Sequence, residues 1–406
     1  MEEDYIIEVK AMISNLLKRL CLFIIVAIVS GCAEKDSHNP FTIINLEEAF
    51  DNNSQCINLG KYAKSIEYIP LETSEISYIG IYPEYRVGDA QIYIAYHNSK
   101  SILVFDAVSG KLIRKLARAG RGPGEYLHSE NFNIAHNQDI IIADFKKILR
   151  YNSEDSCVWK LDASKLGYYN DIIVNIDDES YFINETRIGK DGQLREHSTL
   201  IGPNGVISST EIGDRENAYS LRSKFYSHNK QARIINSAND TIFDLSYDNK
   251  LSALYVIELG KKYEYLRQFT SLKNRDYFFA PIRTGVLESD SFVLLSGVLP
   301  ENELPQIYTK TNYDKHGSSF ILYDKNEKKT YALKKSPDYT YIGFINDIDG
   351  GVPFSPSIMK DNKMYQFIEA DKFIELAEQC NVPRMKEIAA TLTEESNPVM
   401  VVATLK

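Results

Sequence analysis

Two short stretches of this sequence carry residue types that could do chemistry, and the first is Gly120–Tyr126, GRGPGEY. Its Arg121 could form forked hydrogen bonds with an anionic ligand, and Tyr126 could offer a stacking face to a sugar. The glycines and the proline are also what a tight turn between strands needs, with Glu125 pairing with a nearby arginine. Glycine-rich turns serve mainly to let the backbone reverse direction, so a structural turn is favoured over a ligand-binding loop. Arg121, Glu125 and Tyr126 remain candidate ligand-binding residues.

The second stretch, Asn346–Gly351, is acidic and reads NDIDGG. Asp347 and Asp349 could bind Ca²⁺ through carboxylate and carbonyl oxygens, or act as an acid–base pair on a glycoside. A complete calcium loop has further acidic residues that this stretch lacks, and Asx side chains capping a two-glycine turn explain the pattern equally well. The sequence therefore predicts no resident cofactor, with Ca²⁺ as the alternative, and Asp347 and Asp349 are further candidate binding residues.

The sequence contains no GxSxG elbow, HExxH pair, P-loop or EF-hand loop. The histidines have no metal-type spacing, so solvated or hydrogen-bonded roles are favoured over ligand roles, although loops of a ring-shaped fold could bring distant residues together. Cys56, Cys157 and Cys380 form no CxxC pair; they are free, or Cys56 and Cys380 meet where the fold closes. We predict no metal site.

The elements that would position these residues are short strands separated by turns. The chain ahead of the glycine motif holds three of them, and two are followed by weaker copies 48 and 46 residues further on. The strands are Ile92–Tyr96, Ile102–Asp106 and Leu112–Leu116, and the copies are Ile140–Asp144 and Ile148–Asn152. A repeat near this period predicts an all-β fold of propeller blades.

Continuing the pattern along the chain predicts a six-bladed β-propeller over residues 61–406. Its fifth blade is expected to begin at Tyr277–Ala280 and its sixth at Tyr341–Asn346. Apolar residues then recur at helical spacing from Phe373 to Leu392, which predicts two short helices inserted before a last strand. Because a propeller must seal its last blade, we expect Ser65–Thr73 to pair with Val399–Leu405.

The amino-terminal segment, residues 1–31, has the features of a secretion signal. Lys18-Arg19 precede ten apolar residues, a run too short to span a bilayer about 30 Å thick. The following Val29–Cys32, VSGC, resembles the bacterial lipobox, which implies that Cys32 becomes the acylated first residue and anchors the protein to a membrane. Residues 32–60 would then be the lipidated cysteine, a tether and a lead-in. The net charge of −10, without a basic block, argues against a nucleic-acid partner.

Five motifs together resemble the six-bladed β-propeller lipoproteins of Bacteroides and relatives, a family of unknown function, and Ile102–Tyr126 is also similar to an NHL repeat. The motifs are IEYIPLETS at Ile66–Ser74, GRGPGEY at Gly120–Tyr126, NDTIFDL at Asn239–Leu245, NDIDGGVPFSP at Asn346–Pro356 and NPVMVV at Asn397–Val402. The resemblance implies a protein of the cell envelope, at the outer membrane with a periplasmic or surface location, whose partners are glycans or envelope proteins.

Three functions are compatible with these observations. The favoured one is a lipid-anchored, non-catalytic protein that binds a ligand or partner. A central channel lined by Tyr, Arg and Asn would support it. The second is a hydrolase or lyase, which would need Asp347, Asp349 and histidines to converge on the channel as a metal or carboxylate site. The third is a scaffold subunit of an outer-membrane complex, marked by a large exposed apolar patch on the two helices.

Overall fold

Six antiparallel sheets follow one another along the chain and form the blades of a propeller. The computed structural model describes residues 41–175, 177, 179–215, 223–235, 240–264, 285–300, 309–310, 316–339 and 341–406. One compact unit spans Ile43–Lys406. The prediction of an all-β, six-bladed propeller is confirmed.

The strands are short and are numbered in chain order. They are β1 (Thr42–Asn45), β2 (Ser54–Gln55), β3 (Ala63–Pro70), β4 (Glu84–Val87), β5 (Gln91–Ala95), β6 (Ile102–Asp106), β7 (Leu112–Leu116), β8 (Phe132–Ile134), β9 (Ile140–Asp144), β10 (Lys147–Tyr151), β11 (Cys157–Asp162), β12 (Tyr168–Val174), β13 (Tyr181–Ile188), β14 (Leu194–Gly202), β15 (Gly205–Arg215), β16 (Lys224–His228), β17 (Gln231–Ile235), β18 (Thr241–Leu245), β19 (Leu251–Glu258), β20 (Gly285–Glu288), β21 (Phe292–Pro300), β22 (Thr309–Lys310), β23 (His316–Asp324), β24 (Lys329–Leu333), β25 (Ile358–Lys360), β26 (Lys363–Ile368) and β27 (Val399–Leu405). The helices are α1 (Leu46–Asp51), α2 (Gly260–Tyr263), α3 (Ala370–Gln379) and α4 (Pro383–Ala389), with a 3₁₀ turn at Leu59–Lys61.

The blades are stacked around a ring. Blades 1 to 4 consist of β4–β7, β8–β11, β12–β15 and β16–β19, blade 5 is built on β20, β21, β23 and β24, and blade 6 has the order β25, β26, β27, β3. The innermost strands β4, β8, β12, β16, β20 and β25 each contact the next, and β25 contacts β4, so they surround the central axis.

The two faces of a blade are both buried against neighbouring blades, which explains the continuous apolar runs of strands such as β5, β6 and β9. In β5, Ile92 and Ile94 belong to the core shared by blades 6 and 1. Tyr93 and Ala95, on the other face of the same strand, belong to the core shared by blades 1 and 2. No blade therefore has a hydrophobic face of its own that is independent of its neighbours.

Strand direction alternates within each blade, so the links between successive blades lie at the same edge of the ring as the middle hairpin of each blade. We call this edge the connection face, and it carries residues 71–83, 96–101, 117–131, 145–146 and 334–357. The first and third hairpins of each blade lie at the opposite edge. Because sheets twist, an outer strand also reaches the third hairpin of the following blade, as where Trp159 approaches Pro203.

Blade 6 closes the ring as expected. β27 lies between β26 and β3, and its register with β3 runs from Val399 opposite Pro70 to Leu405 opposite Ala63. The two predicted helices are α3 and α4, which form the middle hairpin of this blade. Their apolar sides, including Phe373 and Met385, join the core between blades 5 and 6.

The segment ahead of β3 is also part of the ring. β1 adds a fifth strand beside β19 of blade 4, and β2 pairs in parallel with β24 of blade 5. Between them, the buried residues of α1 pack with those of β19 and β24. Residues 42–55, which the sequence suggested as a lead-in, thus extend the outer edges of two blades.

Some predicted blade boundaries are wrong. The sixth blade begins at β25 rather than at Tyr341–Asn346, because Phe344 and Ile345 form only single bridges with Phe354 and Asn58. The inner strand of blade 5 is β20; the expected strand Tyr277–Ala280 lies outside the described residues. Cys56, Cys157 and Cys380 are free, and of these only Cys380 is buried.

A buried carboxylate locks blade 4 to blade 5. Glu288 of β20 is fully buried and forms ion pairs with Arg233 and, at 2.7 Å, with Lys325. It also accepts hydrogen bonds of 2.8 Å from the hydroxyls of Tyr226 and Tyr255. Burial alone would raise the pKa of Glu288, but Arg233 and Lys325 outweigh it and hold the pKa below its usual 4.5.

Removing the closing strand should open the ring. We expect deletion of Pro398–Lys406 to abolish cooperative thermal unfolding followed by circular dichroism, because β26 and β3 lose the strand between them. A truncated protein that melts at the same temperature as the intact chain would show that closure does not depend on this pairing.

Replacing the central carboxylate should loosen the seam between blades 4 and 5. We expect Glu288→Gln to lower the free energy of unfolding at pH 7 by roughly 3–5 kcal/mol, because Arg233 and Lys325 lose their buried counter-charge. Urea unfolding measures the difference.

The same pair of proteins gives a test of pH dependence. Since folding lowers the pKa of Glu288, its stabilisation is complete above the unfolded-state pKa near 4.5 and is lost as the pH falls further. The difference in free energy of unfolding between wild type and Glu288→Gln should therefore shrink between pH 5 and pH 3, as the Glu288 carboxylate takes up a proton. A constant difference would contradict the assignment.

Candidate functional site

The glycine motif forms a closed turn in the link between blades 1 and 2. The backbone N–H of Gly120 donates to the carbonyl of Tyr126, and the N–H of Tyr126 donates to the carbonyl of Arg118, at 2.8 and 3.1 Å. The Glu125 carboxylate accepts a 2.8 Å hydrogen bond from the N–H of Gly122. A Cβ on Gly120 would collide with that carboxylate, so a larger residue here would require the Glu125 side chain to move away from the turn.

Tyr126 is a structural residue rather than an exposed stacking surface. Its ring is fully buried in the core between blades 1 and 2, edge to face with Tyr151. Its hydroxyl donates to the carbonyl of Leu116 at 2.8 Å, and burial raises the pKa of Tyr126 to about 12. Of the three candidate ligand-binding residues in this motif, Arg121 alone is exposed, whereas Glu125 is half-buried in the turn.

The acidic motif lies at the seam between blades 5 and 6. One Asp347 oxygen accepts a 2.7 Å hydrogen bond from the N–H of Gly60. Asp349 accepts from the side-chain amide of Asn346 at 2.7 Å and from the N–H of Gly351 at 3.0 Å. Both carboxylates are therefore engaged in holding turns, and the structure does not bring them together with Arg121 or with a histidine.

Polar contacts around the axis join inner strands to the next blade, in one case through Asp89 in the first hairpin of blade 1. Each contact crosses one seam between blades, and the residues that make them are largely Arg, Asn, Asp and Tyr. In four of them a hydrogen bond is donated: by Arg86 to the carbonyl of Phe132 (3.2 Å), by Asn133 to the carbonyl of Ile172 (2.7 Å), by the N–H of Phe225 to Asp171 (2.9 Å) and by Tyr226 to Glu288 (2.8 Å). The fifth is the ion pair of Lys360 with Asp89 at 3.9 Å. We call these contacts the inner clasps.

Two exposed aromatic residues stand beside histidines on the connection face. Tyr82, in the link before blade 1, lies 6.3 Å from the ring of His97 in the middle hairpin of that blade. Phe145, in the middle hairpin of blade 2, lies 5.1 Å from the ring of His128 in the link before it. The side chains of Tyr82 and Phe145 are 72% and 69% exposed. The pairs occupy equivalent places in neighbouring blades.

The backbone at both aromatic residues is unusual. Tyr82 has φ of 53° and Phe145 has φ of 45°, in the left-handed region that bulky side chains rarely adopt. Phe145 is the first of two residues joining β9 to β10, a position where positive φ favours glycine or asparagine. Such strain typically costs on the order of 1–3 kcal/mol, and it is concentrated at functional sites.

A cavity of about 280 Å³ opens between blades 5 and 6 in the half of the seam near the connection face. It is lined by β20, β21 and β23 and by the residues just before β25. The lining residues are Gly285, Leu287, Leu294, Ser296, Gly297, Phe320, Ser355, Pro356 and Ser357. None of them is ionisable.

Comparison with known families identifies the chain. Residues 41–404 match the family described as a domain of unknown function, DUF4934. The chain belongs to the DUF4934 family. No curated protein matches its sequence.

Solved structures share the fold of this DUF4934 protein. A candidate exported protein of Bacteroides fragilis matches with a TM-score of 0.60 and 16% identity, over 90% of this chain and 100% of that chain. A Bacteroides caccae protein of unknown function matches at 11% identity over 68% and 97% of the two chains, with a TM-score of 0.37. Virginiamycin B lyase of Staphylococcus aureus matches at 8% identity over 84% and 99%, with a TM-score of 0.38. These likenesses concern the fold, and the two lower scores carry no further argument.

Two further features of the DUF4934 chain concern metals and membranes. Among the residues that the structure describes, no three His, Cys, Asp or Glu side chains are grouped so that they could hold a metal ion. Over the same residues, none of the helices has the length and apolar character needed to cross a bilayer. Cys32 lies outside the described residues, so its acylation stays a prediction.

Sequence reasoning missed both the aromatic pairs and the cavity of this DUF4934 protein. A signal for Phe145 does exist, because the strands IIIAD and KILRY are separated by Phe-Lys, where a two-residue hairpin would favour glycine. Ser355, Pro356 and Ser357 directly follow the acidic motif, yet nothing in their own sequence shows that they face Phe320 across a seam.

A pair of substitutions separates the structural part of the glycine motif from its exposed part. We expect Tyr126→Phe to lower the free energy of unfolding by about 1–3 kcal/mol, because a buried carbonyl loses its donor. Arg121→Ala should change it by less than about 0.5 kcal/mol, since the side chain is exposed. Urea unfolding of both variants is the measurement, and equal costs would refute this division of roles.

Proposed function

We propose that this DUF4934 protein is a lipid-anchored, non-catalytic binding protein of the cell envelope that holds a glycan on its connection face. The observation that carries the proposal is the pair of exposed aromatic residues, Tyr82 and Phe145, kept at positive φ beside His97 and His128. A protein that only needed a stable hairpin would gain from glycine at such a position. Exposed rings suit the stacking of sugars, which present one apolar face.

The binding function is supported over the two alternatives by where the charged residues lie. Asp347 and Asp349 hold turns at a seam, whereas Arg86, Asn133 and Tyr226 are among the residues of the inner clasps, and Tyr, Arg and Asn are the residue types expected around the axis of a binding protein. A scaffold would present an apolar patch on α3 and α4. Apart from Pro383, the exposed residues of these two helices are polar or charged, among them Asp371, Glu375, Glu378, Arg384, Lys386 and Glu387.

Anchoring to the envelope rests on the lipobox-like Val29–Cys32 and is part of the proposal. The likeness of the fold to that of a candidate exported protein is in keeping with it.

A thermal-shift screen tests the binding function. The soluble chain Ala33–Lys406 contains the whole compact unit and would be screened with oligosaccharides, peptidoglycan fragments, and divalent cations with and without EDTA. A ligand that binds only the native state at 100 times its Kd adds about 2.7 kcal/mol of stability, which is readily visible in melting. We expect a shift with one glycan class.

Substitutions to glycine show whether the aromatic pairs make the contact. Tyr82→Gly and Phe145→Gly should leave the melting temperature of the free protein unchanged or higher, because they relieve positive φ, and should reduce the glycan shift. Tyr247→Gly is the matched control, since Tyr247 is also 72% exposed but lies in the third hairpin of blade 4.

The outcomes separate the three functions. If the glycan raises the melting temperature of both aromatic variants as much as that of wild type, these residues are not part of the binding site. A shift with a cation alone, reversed by EDTA, would favour the hydrolase or lyase. The absence of any shift would contradict ligand binding and leave the scaffold.

A further inference from the structure

The inner clasps link five of the six pairs of neighbouring blades. Between blades 5 and 6, no side-chain hydrogen bond or ion pair of the described residues joins the innermost strands β20 and β25; the polar contacts of this seam lie elsewhere, where Lys61 and Tyr62 contact Asp324. At the inner part of the seam Gly285 and Leu287 of β20 face Ser355–Ser357, and the cavity of about 280 Å³ lies between them. The cavity thus occupies the seam that has no inner clasp among the described residues.

We propose that this cavity binds a single uncharged sugar ring, the end residue of the glycan assigned to the connection face. The inference rests on the proposed function and deepens it, because it names the site that selects the ligand and the chemistry that it selects. The cavity has walls of two kinds, apolar and hydroxyl-bearing, and each restricts the ligand.

The apolar wall consists of Leu287, Leu294, Phe320 and Pro356. A ligand that enters must shed water from the side that it turns towards them, so it needs an apolar face. The described residues that line the cavity include no ionisable group, and a buried charge without a partner is strongly disfavoured. The occupant is therefore neutral.

The hydroxyl wall decides which polar groups the ligand carries. The Ser355 hydroxyl donates its proton to the carbonyl of Ile342, and the Ser357 hydroxyl lies 3.5 Å from the carbonyl of Tyr365 as donor. A serine that donates inward still has lone pairs with which to accept. The ligand must then supply the donors, as a ring bearing several hydroxyl groups does.

The size of the cavity limits the occupant to about one ring. Sites that enclose drug-sized ligands typically measure about 300–1,000 Å³, and this one falls just below that range. The rest of a glycan would lie outside, on the connection face. Tyr82 with His97 and Phe145 with His128 occupy the next two seams around the ring, where a longer chain would meet them.

The test uses the chain Ala33–Lys406 and isothermal titration with neutral monosaccharides: glucose, galactose, mannose and N-acetylglucosamine. Glucuronic acid, galacturonic acid and glucosamine serve as charged counterparts. We expect at least one neutral sugar to bind, and its charged counterpart to bind at least tenfold more weakly. Binding of charged and neutral forms with equal affinity would overturn the proposal.

Two variants test whether the sugar binds in the cavity. Ser357→Trp should block it and weaken binding at least tenfold, because Ser357 is exposed at its rim and tolerates a large side chain. Phe320→Leu keeps the wall apolar but removes the aromatic face, and should weaken binding several-fold. Ser153→Trp, an exposed serine in the third hairpin of blade 2, is the matched control and should bind like wild type.

Melting of the free proteins shows whether each variant is folded. If Ser357→Trp and Phe320→Leu melt like wild type and bind the sugar unchanged, the cavity is not the site, while glycan binding by the connection face stands. If longer glycans bind and no monosaccharide does, the cavity proposal alone falls. If neither binds, both proposals fall together.

Discussion

The pairing of β3 with β27 is the constraint on which the rest of the molecule depends. Every blade buries both faces against its neighbours, so a blade at an open end would expose one apolar face to water. Joining strands from the two ends of the chain in blade 6 removes that exposure. It also leaves the middle hairpin of blade 6 free to carry α3 and α4, which cover the core between blades 5 and 6.

The buried ion pairs and the proposed binding residues lie in different parts of the ring. The buried Glu288 with Arg233 and Lys325 stabilises one seam, and the inner clasps hold others. The connection face carries the exposed rings of Tyr82 and Phe145, two bulky residues at positive φ, and the cavity between blades 5 and 6. Proteins tolerate such local costs when the surrounding structure holds the conformation, and in this molecule the closed ring does so.

The fold could be predicted from the sequence because β5 and β9, like β6 and β10, repeat as apolar runs near a fixed period. The inner strands β16, β20 and β25 were missed, since KFYSH, GVLE and IMK are short and mix polar with apolar residues. For the site, sequence reasoning found residues that make turns, Tyr126 and Asp347 among them. The cavity could not be found, because its walls come from four separated segments that only the closed ring brings together.

Because blade 6 combines strands from both ends of the chain, the order in which the strands are synthesised affects when the ring can close. β3 is synthesised well before β27, so β3 lacks its strand partner until β27 has been made. An unpaired strand edge invites association with other chains, and such pairing across the whole sequence is slow to form. The sequence of β3 contains safeguards against this hazard: Lys64 and Glu67 are exposed on it, and Pro70 ends it without a donor. Charged side chains and a terminal proline thus oppose association of β3 with other chains before β27 pairs with it.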